Sequence, residues 1–212
     1  MVYILENTDR IIEGSEDEHS RFLSEERREK TGRYRSAQDR INGCAVYMLL
    51  RYALIKEYGY CRAPVFRFGE HGKPYLADRE DIFFNMSHCK NAVCCIVSDK
   101  ETAIDITDMR EVRPAVIRRV CSEAERQIIK ESAEPQRAFL KMWTRKECLS
   151  KLSGRGMSQP FIELTDELSE AAGLHTVVCR DHIYTYYSSA EEKTLTLPDE
   201  EDLVRFLREN AR

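Results

Sequence analysis

Four short segments of the sequence concentrate residues that could bind a phosphate group or a metal ion. Gly-Lys-Pro at residues 72–74 holds a lysine in a turn restrained by glycine and proline, which suits contact with a phosphate. Asn-Met-Ser-His at residues 85–88 offers three polar side chains at the end of a β-rich run. Taken alone, each segment also fits an ordinary structural interpretation, a solvated turn or a structural histidine.

The other two segments carry carboxylates. Asp105 lies between two isoleucines in a predicted strand, where a carboxylate is costly to bury unless it is paired or bound to metal. Thr107 shares its strand face, and Asp108 lies on the opposite face. Glu147 and Lys151 are four residues apart in a predicted helix. That spacing fits either an exposed ion pair or a metal-binding carboxylate one turn from a phosphate-binding amine.

The elements that must position these segments are predicted to be both helices and strands. Both kinds occur in each half of the chain, which indicates an α/β or α+β fold. Ser24 is a predicted helix cap, and apolar residues at spacings of three and four predict a long helix over 37–57 that stops at Gly59. Helices are also predicted over 114–119, 122–130, 136–152 and 199–209, and strands over 2–5, 65–68, 83–87, 92–97, 102–107, 161–165, 175–180 and 183–188.

Composition and charge argue against several classes of protein. Lysine and arginine number 33 against 37 acidic residues, so a net charge of −4 disfavours a whole-surface nucleic-acid binder. A basic segment over 27–40, with six cations and two acids, keeps RNA or DNA binding as a weaker hypothesis, because Tyr34 is its one aromatic residue. The uncharged run over 41–50 is too short to span a bilayer, and residues 1–6 lack the basic region of a secretory signal.

The chain has eight cysteines but no Cys-x2-Cys pair, and two of the eight, Cys94 and Cys95, are adjacent. Such spacing suits neither a zinc knuckle nor an easy disulfide. Most of the cysteines have apolar neighbours, so we expect free thiols that pack as small hydrophobic side chains. Free thiols in this number favour a cytoplasmic protein.

Together, the four segments resemble the motifs of the 4′-phosphopantetheinyl transferases of the Sfp type. That family carries Gly-Lys-Pro, then Phe-Asn-x-Ser-His, then an (Ile/Val)-Gly-(Ile/Val)-Asp-(Ile/Val) strand, then Trp-(Ser/Thr)-x-Lys-Glu-(Ala/Ser)-x-x-Lys on a helix. Here they correspond, in the same order and at similar separations, to residues 72–74, 84–88, 103–106 and 143–151. The resemblance covers roughly residues 24–160.

The sequence departs from the family pattern at three positions. Ala103 replaces the usual glycine, Cys148 replaces a small residue, and Thr107 replaces a glutamate that follows Asp105 by two residues. The missing glutamate removes one expected magnesium ligand, which an extra water could replace. Asp108 is a poor substitute because it lies on the other face of the strand.

The resemblance implies two similar α/β halves related by a pseudo-twofold axis, with the active site in their cleft. The N-terminal half would be residues 1–103, with the basic segment and the first two motifs, and the C-terminal half residues 104–212. It further implies a holo-[acyl-carrier-protein] synthase type of enzyme, which transfers the 4′-phosphopantetheine arm of coenzyme A to a serine of an apo carrier protein. Magnesium would be required, and 3′,5′-ADP would be released.

The resemblance also implies the catalytic residues. Asp105 and Glu147 would bind magnesium, and Glu147 would also accept the serine proton, directly or through a metal-bound water. Lys151 would contact the pyrophosphate and offset charge on the leaving group. His88 would donate a hydrogen bond to the pyrophosphate.

Other residues would hold the nucleotide part of coenzyme A. Ser87 and Lys73 would contact this part and its 3′-phosphate, and Lys30 and Arg40 from the basic segment would add phosphate contacts. A solvated basic helix face is the alternative for the basic segment.

An acidic acyl or peptidyl carrier protein is the implied partner, and four arginines in one short stretch are the candidate docking surface. They are Arg110, Arg113, Arg118 and Arg119. The sequence leaves open whether the carrier serves fatty-acid, polyketide or peptide synthesis. We expect a monomer, with no nucleic-acid or membrane partner. Thr107 keeps a second hypothesis open, a degenerate relative that binds coenzyme A or the carrier without transfer.

Overall fold

The computed structural model describes residues 1–8, 16–154, 173–189, 192–197 and 199–211, and in this part the chain forms three β-sheets and seven helices. The strands are β1 (Val2–Glu6), β2 (Phe66–Phe68), β3 (Pro74–Leu76), β4 (Phe83–His88), β5 (Ala92–Ser98), β6 (Ala103–Asp108), β7 (Leu174–Val178), β8 (His182–Tyr187) and β9 (Thr194–Leu197). The helices are α1 (Glu16–Ser20), α2 (Glu25–Gly32), α3 (Ala37–Tyr58), α4 (Pro114–Val120), α5 (Glu123–Glu131), α6 (Pro135–Ser153) and α7 (Glu200–Asn210). The predicted mixed α/β class is confirmed.

Two of the sheets carry the architecture. The larger sheet has the strand order β4-β5-β1-β9, with antiparallel pairing except between β1 and β9. The smaller sheet has the order β6-β8-β7 and is antiparallel throughout. The third sheet is the hairpin β2–β3, whose connection contains Gly72 at φ 84°. Pro74, expected as part of the Gly-Lys-Pro turn, is the first residue of β3.

The alternation of side chains along β1 shows how the layers stack. Tyr3 and Leu5 pack in the core beneath α3, whereas Val2 and Ile4 pack against Ile104 of the smaller sheet. Successive side chains of a strand point to opposite faces, so the larger sheet is buried on both sides. One face is covered by α3 and the other by the smaller sheet.

Helix α6 covers the remaining face of the smaller sheet. Ala103 of β6 packs with Cys148 of α6, and Ile183 of β8 packs with Phe139 and Leu140 of the same helix. The layers therefore follow the order α3, larger sheet, smaller sheet, α6. This order places the helix with Glu147 and Lys151 directly over the strand with Asp105.

Local sequence signals set several boundaries as predicted. The Ser24 hydroxyl accepts a hydrogen bond from the Arg27 amide at 3.2 Å and caps α2. The long helix α3 ends at Gly59, which adopts the left-handed conformation with φ 62°. The sequence did not predict α1, β3 or β9, and the strand predicted over 161–165 lies outside the described residues.

The end of the chain returns to the larger sheet. Strand β9 pairs with β1, and Leu203 and Leu207 of α7 join the core that contains Tyr52 of α3. Strand β9 and helix α7 therefore pack with the first half of the chain, across the expected boundary at 103/104. The first and last segments of the chain stabilise one common layer.

Two further observations concern membrane-spanning helices and the state of the cysteines. No helix within the described ranges combines the length and the apolar character that crossing a membrane requires. All eight cysteines are free thiols, and five of them are buried: Cys44, Cys94, Cys95, Cys121 and Cys148. Burial raises the pKa of Cys121 above its usual value, which keeps this thiol protonated and unreactive.

A buried ion pair fixes α6 to α5. The Lys146 ammonium lies 2.5 Å from Oε2 of Glu125 and 2.8 Å from the Val120 carbonyl oxygen, and both charged side chains are almost completely buried. Glu125 also accepts from the backbone amide of Ser122 and completes a capping box at the start of α5. One carboxylate thus serves both the cap of α5 and the docking of α6.

We expect Lys146→Met to lower the free energy of unfolding by about 3–5 kcal/mol, because it leaves the Glu125 carboxylate buried and unpaired. The double variant Lys146→Met/Glu125→Gln should recover much of this loss, since the neutral amide can still cap α5. Urea denaturation measures both effects. Lys141→Met, at an exposed position of the same helix, is the control and should change stability by less than about 0.5 kcal/mol. Equal midpoints for wild type and Lys146→Met would contradict the role of the pair.

Candidate active site

The candidate site begins where β4, the edge strand of the larger sheet, meets β6, the edge strand of the smaller one. These two strands belong to different sheets, and side chains of β4 accept hydrogen bonds from backbone amides of β6. Asn85 Oδ1 accepts from the Ile104 amide at 3.3 Å, and Ser87 Oγ accepts from the Ile106 amide at 3.4 Å. Asn85 and Ser87 alternate with Phe84, which packs in the core beneath α3. The polar residues of the Asn-Met-Ser-His segment therefore face the smaller sheet.

Buried Asp105 and Ser87 form a hydrogen-bond network with partly exposed Lys151 at this junction. The Ser87 hydroxyl donates to Oδ1 of Asp105 at 2.8 Å. The Lys151 ammonium donates to the same Oδ1 at 2.7 Å, to Ser87 Oγ at 2.8 Å and to the Ile104 carbonyl oxygen at 3.1 Å. Asp105 is 7% exposed, so its charge is tolerated because these donors replace water.

Helix α6 brings its functional residues to the junction through its periodicity. Thr144, Glu147 and Lys151 are spaced by three and four residues and share the face that packs on the smaller sheet. The helix ends at Gly154 in the left-handed conformation, with φ 66°. Lys73 lies against this end and donates to the Leu152 carbonyl oxygen at 3.0 Å.

Two cavities meet at Glu147. One, of about 260 Å³, is lined by His71, Gly72, Lys73, Pro74, Asn85, Met86, Glu147, Ser150, Lys151 and Gly154. The other, of about 640 Å³, is lined by Ser36, Gln38, Asp39, Asn42, His88, Cys89, Lys90, Asp105, Ile106, Thr107, Asp108, Arg110, Trp143 and Glu147. The four segments identified in the sequence thus converge on two cavities that share Glu147 in their walls.

The surroundings of Glu147 and His88 shift their proton affinities in opposite directions. Burial, followed by the charge of Asp105, raises the pKa of Glu147 to about 7, while Lys151 opposes the shift. Desolvation and the positive charge of Lys151 lower the pKa of His88, which favours a neutral imidazole at neutral pH. The site therefore pairs a carboxylate that can exchange a proton near pH 7 with a neutral hydrogen-bond donor.

The donor set fits a magnesium ion bound with few protein ligands. Asp105 and Glu147 both line the larger cavity and supply hard oxygens, which magnesium prefers. Both protein hydrogen bonds to Asp105 among the described residues fall on Oδ1, which leaves Oδ2 for another ligand. No group of three or more His, Cys, Asp or Glu side chains in the described ranges is arranged to hold a metal. Waters or substrate oxygens would complete the coordination.

Thr107 and Asp108 also line the larger cavity. Thr107 is buried and offers a hydroxyl where the related motif has a carboxylate. Asp108 Oδ1 accepts from the Lys90 backbone amide at 2.7 Å, which ties this carboxylate to the turn between β4 and β5. Its participation in metal binding stays a hypothesis.

Other predicted site residues have protein partners. The hydroxyl of Ser87 serves Asp105 and Lys151, as described above. Lys73 pairs with exposed Glu101 at 2.6 Å. Arg40 donates to the backbone oxygens of Tyr34 and Arg35, and neither Arg40 nor exposed Lys30 lines either of the two cavities. Contact of these four residues with a nucleotide stays a prediction.

Sequence reasoning missed two buried threonines close to the site. The hydroxyl oxygens of Thr144 and Thr185 lie 2.8 Å apart, and both side chains are fully buried. Thr185 lies directly opposite Asp105 in the pairing of β8 with β6. Thr144 was visible as part of the Trp-Thr-x-Lys-Glu motif, whereas no sequence signal distinguished Thr185 from other strand residues.

The four arginines of the candidate docking surface are exposed in and around α4: Arg110, Arg113, Arg118 and Arg119. Arg110 lines the larger cavity and, with Arg113, a neighbouring cavity of about 230 Å³ that Trp143 also lines. The basic surface therefore continues to the opening of the candidate site.

We expect Glu147→Gln to raise the free energy of unfolding of the metal-free protein, relative to wild type, by about 1–2 kcal/mol more at pH 8 than at pH 5. This magnitude allows for the partial exposure of the side chain. The native state keeps the Glu147 proton between pH 4.5 and about 7, whereas the unfolded state loses it, so wild-type stability falls as pH rises through that window. Urea denaturation with a chelator at pH 5 and pH 8 measures the difference. Glu70→Gln, at an exposed turn, is the control. An effect of Glu147→Gln that is equal at both pH values would contradict the raised pKa.

The sequence of the chain is similar to those of known proteins. Residues 101–204, which include Asp105, Glu147 and Lys151, match the model of the 4′-phosphopantetheinyl transferase superfamily. A 4′-phosphopantetheinyl transferase of Bacillus subtilis is 31% identical over 160 residues, 74% of this chain and 71% of the relative. The transferase Sfp of Bacillus subtilis strain 168 is 26% identical over 183 residues, 84% of this chain and 82% of the relative.

The transferase psf-1 of Bacillus pumilus is 30% identical over 164 residues, 76% of this chain and 70% of the relative. The aligned regions of these three relatives cover more than two thirds of every chain compared. Together with the convergence of all four motifs on one site, they establish that this chain belongs to the 4′-phosphopantetheinyl transferase superfamily.

Proposed function

We propose that the protein transfers the 4′-phosphopantetheine arm of coenzyme A to a serine of an apo acyl or peptidyl carrier protein, with magnesium as cofactor and release of 3′,5′-ADP. The observation that carries this proposal is the position of Glu147 between two cavities, with Asp105 and Lys151 beside it. Two carboxylates and an ammonium at one point suit phosphoryl-type transfer, which needs charge neutralisation and alignment more than covalent help.

In the proposed reaction, the carrier serine oxygen attacks the β-phosphorus of coenzyme A. A new oxygen–phosphorus bond forms as the bond from the β-phosphorus to the bridging oxygen of the pyrophosphate breaks, and the electron pair leaves with 3′,5′-ADP. Glu147 accepts the serine proton, directly or through a bound water. A carboxylate with a pKa of about 7 is suited to this task near neutral pH.

Lys151 and His88 bind the pyrophosphate in this proposal. Lys151 carries its positive charge at the wall of the smaller cavity, beside Asp105, and offsets charge on the leaving group. His88, favoured as the neutral imidazole, donates a hydrogen bond without adding a further charge. Bound magnesium would supply further charge neutralisation of the pyrophosphate.

Asp105 and Glu147 are the proposed magnesium ligands. Ser87 and Lys151 hold Oδ1 of Asp105, which orients the carboxylate before any ligand binds. Such support from surrounding hydrogen bonds is typical of carboxylates that bind metals. Thr107 contributes no charge, so pyrophosphate oxygens or waters would complete the coordination.

The smaller cavity is the proposed site of the nucleotide. Lys73 lies at its wall and would exchange its exposed partner Glu101 for the 3′-phosphate. Ser87 accepts a hydrogen bond from Lys151, which lines this cavity, and would help to orient the ammonium toward the phosphates. Lys30 and Arg40 are proposed to contribute phosphate contacts from the basic segment.

The basic surface around α4 is the proposed docking site for the carrier. An acidic carrier bound at Arg110, Arg113, Arg118 and Arg119 would bring its serine to the opening of the larger cavity, which Arg110 also lines. We further propose that the protein is a cytoplasmic monomer, and its eight free thiols support a reducing compartment.

The second candidate function is binding of coenzyme A or carrier without transfer, which the neutral Thr107 favours. Mass spectrometry of an apo carrier protein incubated with the protein, coenzyme A and Mg²⁺ distinguishes the two. A gain of one phosphopantetheine arm, absent without the protein, supports transfer. Binding of coenzyme A without any mass gain would leave the second candidate.

We expect Asp105→Asn and Glu147→Gln each to lower the rate of transfer by about 10²–10⁴-fold, because each removes a charged oxygen ligand and the second also removes the base. The rate of holo-carrier formation at saturating Mg²⁺ is the measurement. Asp108→Asn, a neighbouring position on the opposite strand face, is the matched control and should keep most activity. Near wild-type rates for Asp105→Asn, or inactivation by Asp108→Asn alone, would contradict the ligand assignment.

We expect Thr107→Glu to tighten binding of Mn²⁺ by about tenfold or more in the absence of coenzyme A, because it adds a third carboxylate to a site with two. Wild type should bind the ion weakly alone and more tightly once coenzyme A supplies its oxygens. Titration followed by electron paramagnetic resonance measures all four conditions. Thr194→Glu, which adds the same carboxylate at an exposed position of β9, is the control and should leave Mn²⁺ binding unchanged. If wild type alone already binds as tightly as Thr107→Glu, another group such as Asp108 completes the site.

A further inference from the structure

A continuous chain of hydrogen bonds runs between α6 and the smaller sheet. Arg145 Nε donates to Thr176 Oγ1 at 3.0 Å, and Thr176 Oγ1 lies 3.0 Å from Thr185 Oγ1. Thr185 Oγ1 lies 2.8 Å from Thr144 Oγ1, which donates to the Lys141 carbonyl oxygen at 3.1 Å. Three hydroxyls thus connect one turn of α6 with two strands.

The two ends of the chain fix the direction of every proton. A guanidinium can only donate, a carbonyl oxygen can only accept, and each hydroxyl has a single proton. Thr144 gives its proton to Lys141, so it must accept from Thr185, which in turn must accept from Thr176. Thr144 and Thr185 are fully buried. Any displacement of α6 would therefore leave buried donors and acceptors unpaired, which is costly.

The chain lies beside the candidate site through the register of the strands. Asp105 on β6 is opposite Thr185 on β8, and Thr185 is opposite Thr176 on β7. Directly opposite residues share a face, so these three side chains form a polar row across the sheet beneath α6. Helix α6 contacts the whole row, with Lys151 on Asp105, Thr144 on Thr185, and Arg145 on Thr176.

We propose that Thr144 and Thr185 are positioning residues that set the location of α6 on the sheet and thereby place Glu147 and Lys151 against Asp105. The apolar contacts of α6, such as Ile183 with Leu140, are non-directional and tolerate small shifts. The hydrogen bond between two buried hydroxyls, by contrast, forms at only one position of α6 along the smaller sheet. This inference rests on the proposed function, in which the spacing of the two carboxylates determines the rate.

The test replaces each hydroxyl by a methyl group of similar size. Thr144→Val and Thr185→Val should lower kcat for transfer by about 10- to 100-fold, with the KM for coenzyme A changed by less than about threefold, because alignment at the reacting centre is lost while binding surfaces remain. Thr144→Ser and Thr185→Ser keep the hydroxyl and should restore most of the rate. The double valine variant should lose no more than the worse single variant, since both break one chain.

A second measurement does not depend on turnover. Mn²⁺ affinity in the presence of coenzyme A, measured by electron paramagnetic resonance, should fall by about tenfold in the valine variants and recover with serine. Ile183→Val is the matched control, since it lies on the same strand face beneath α6 and loses a methylene without any hydroxyl. It should lower the unfolding temperature but change neither kcat nor Mn²⁺ affinity.

The outcomes separate this inference from the proposed function. Absence of transfer by wild type would contradict the proposed function, while the Mn²⁺ comparison would still test positioning. Valine variants that lose stability like Ile183→Val but keep wild-type kcat and Mn²⁺ affinity would overturn the inference. If Thr185→Val does not fold, Thr176→Val interrupts the same chain at its half-buried end, and a loss of about threefold in kcat and in Mn²⁺ affinity is expected; unchanged values would overturn the inference.

Discussion

The site exists because two sheet edges meet without joining into one sheet. Strand edges present unpaired amides and carbonyls that tend to pair with any neighbouring strand. Here Asn85 and Ser87 satisfy two β6 amides with side-chain oxygens, and Lys151 satisfies the Ile104 carbonyl. A backbone ladder in the same place would close the gap and exclude the lysine. The polar side chains of β4 therefore complete the hydrogen bonding of β6 and keep open the space around Asp105.

The charge balance at this junction follows from the same gap. One ammonium, that of Lys151, faces two carboxylates, and it is bonded directly to Asp105. Glu147 receives less compensation, and burial together with the charge of Asp105 raises its pKa to about 7. Without a second cation, Glu147 consequently holds a proton up to about pH 7 in the metal-free site. A divalent ion that neutralised both carboxylates would displace this proton, so metal binding would free Glu147 for its proposed role as a base.

The sequence predicted the elements whose signals are local. The cap at Ser24, the stop at Gly59 and the helical spacing of Glu147 and Lys151 depend on neighbours a few residues apart. The placement of Asp105 between two isoleucines also indicated a carboxylate that needs partners when buried, and Asp105 is buried with Ser87 and Lys151 as donors. By contrast, the pairing of β9 with β1 joins residues about 190 positions apart, and no periodicity specifies such a partner. The bridging role of Asn85 was equally inaccessible, because it depends on where β6 lies in space.

In the motif on α6, residues of the same type have different roles. Residue type alone does not distinguish its two lysines, yet Lys146 is buried against Glu125 and Lys151 contacts Asp105. Helical geometry separates them, since five residues correspond to a rotation of about 500°, or 140° around the helix. One lysine therefore docks the helix on α5 while the other faces Asp105. Thr144 and Cys148 are buried on the face that packs against the smaller sheet, so the spacing of the motif records the docking of the helix as much as its chemistry.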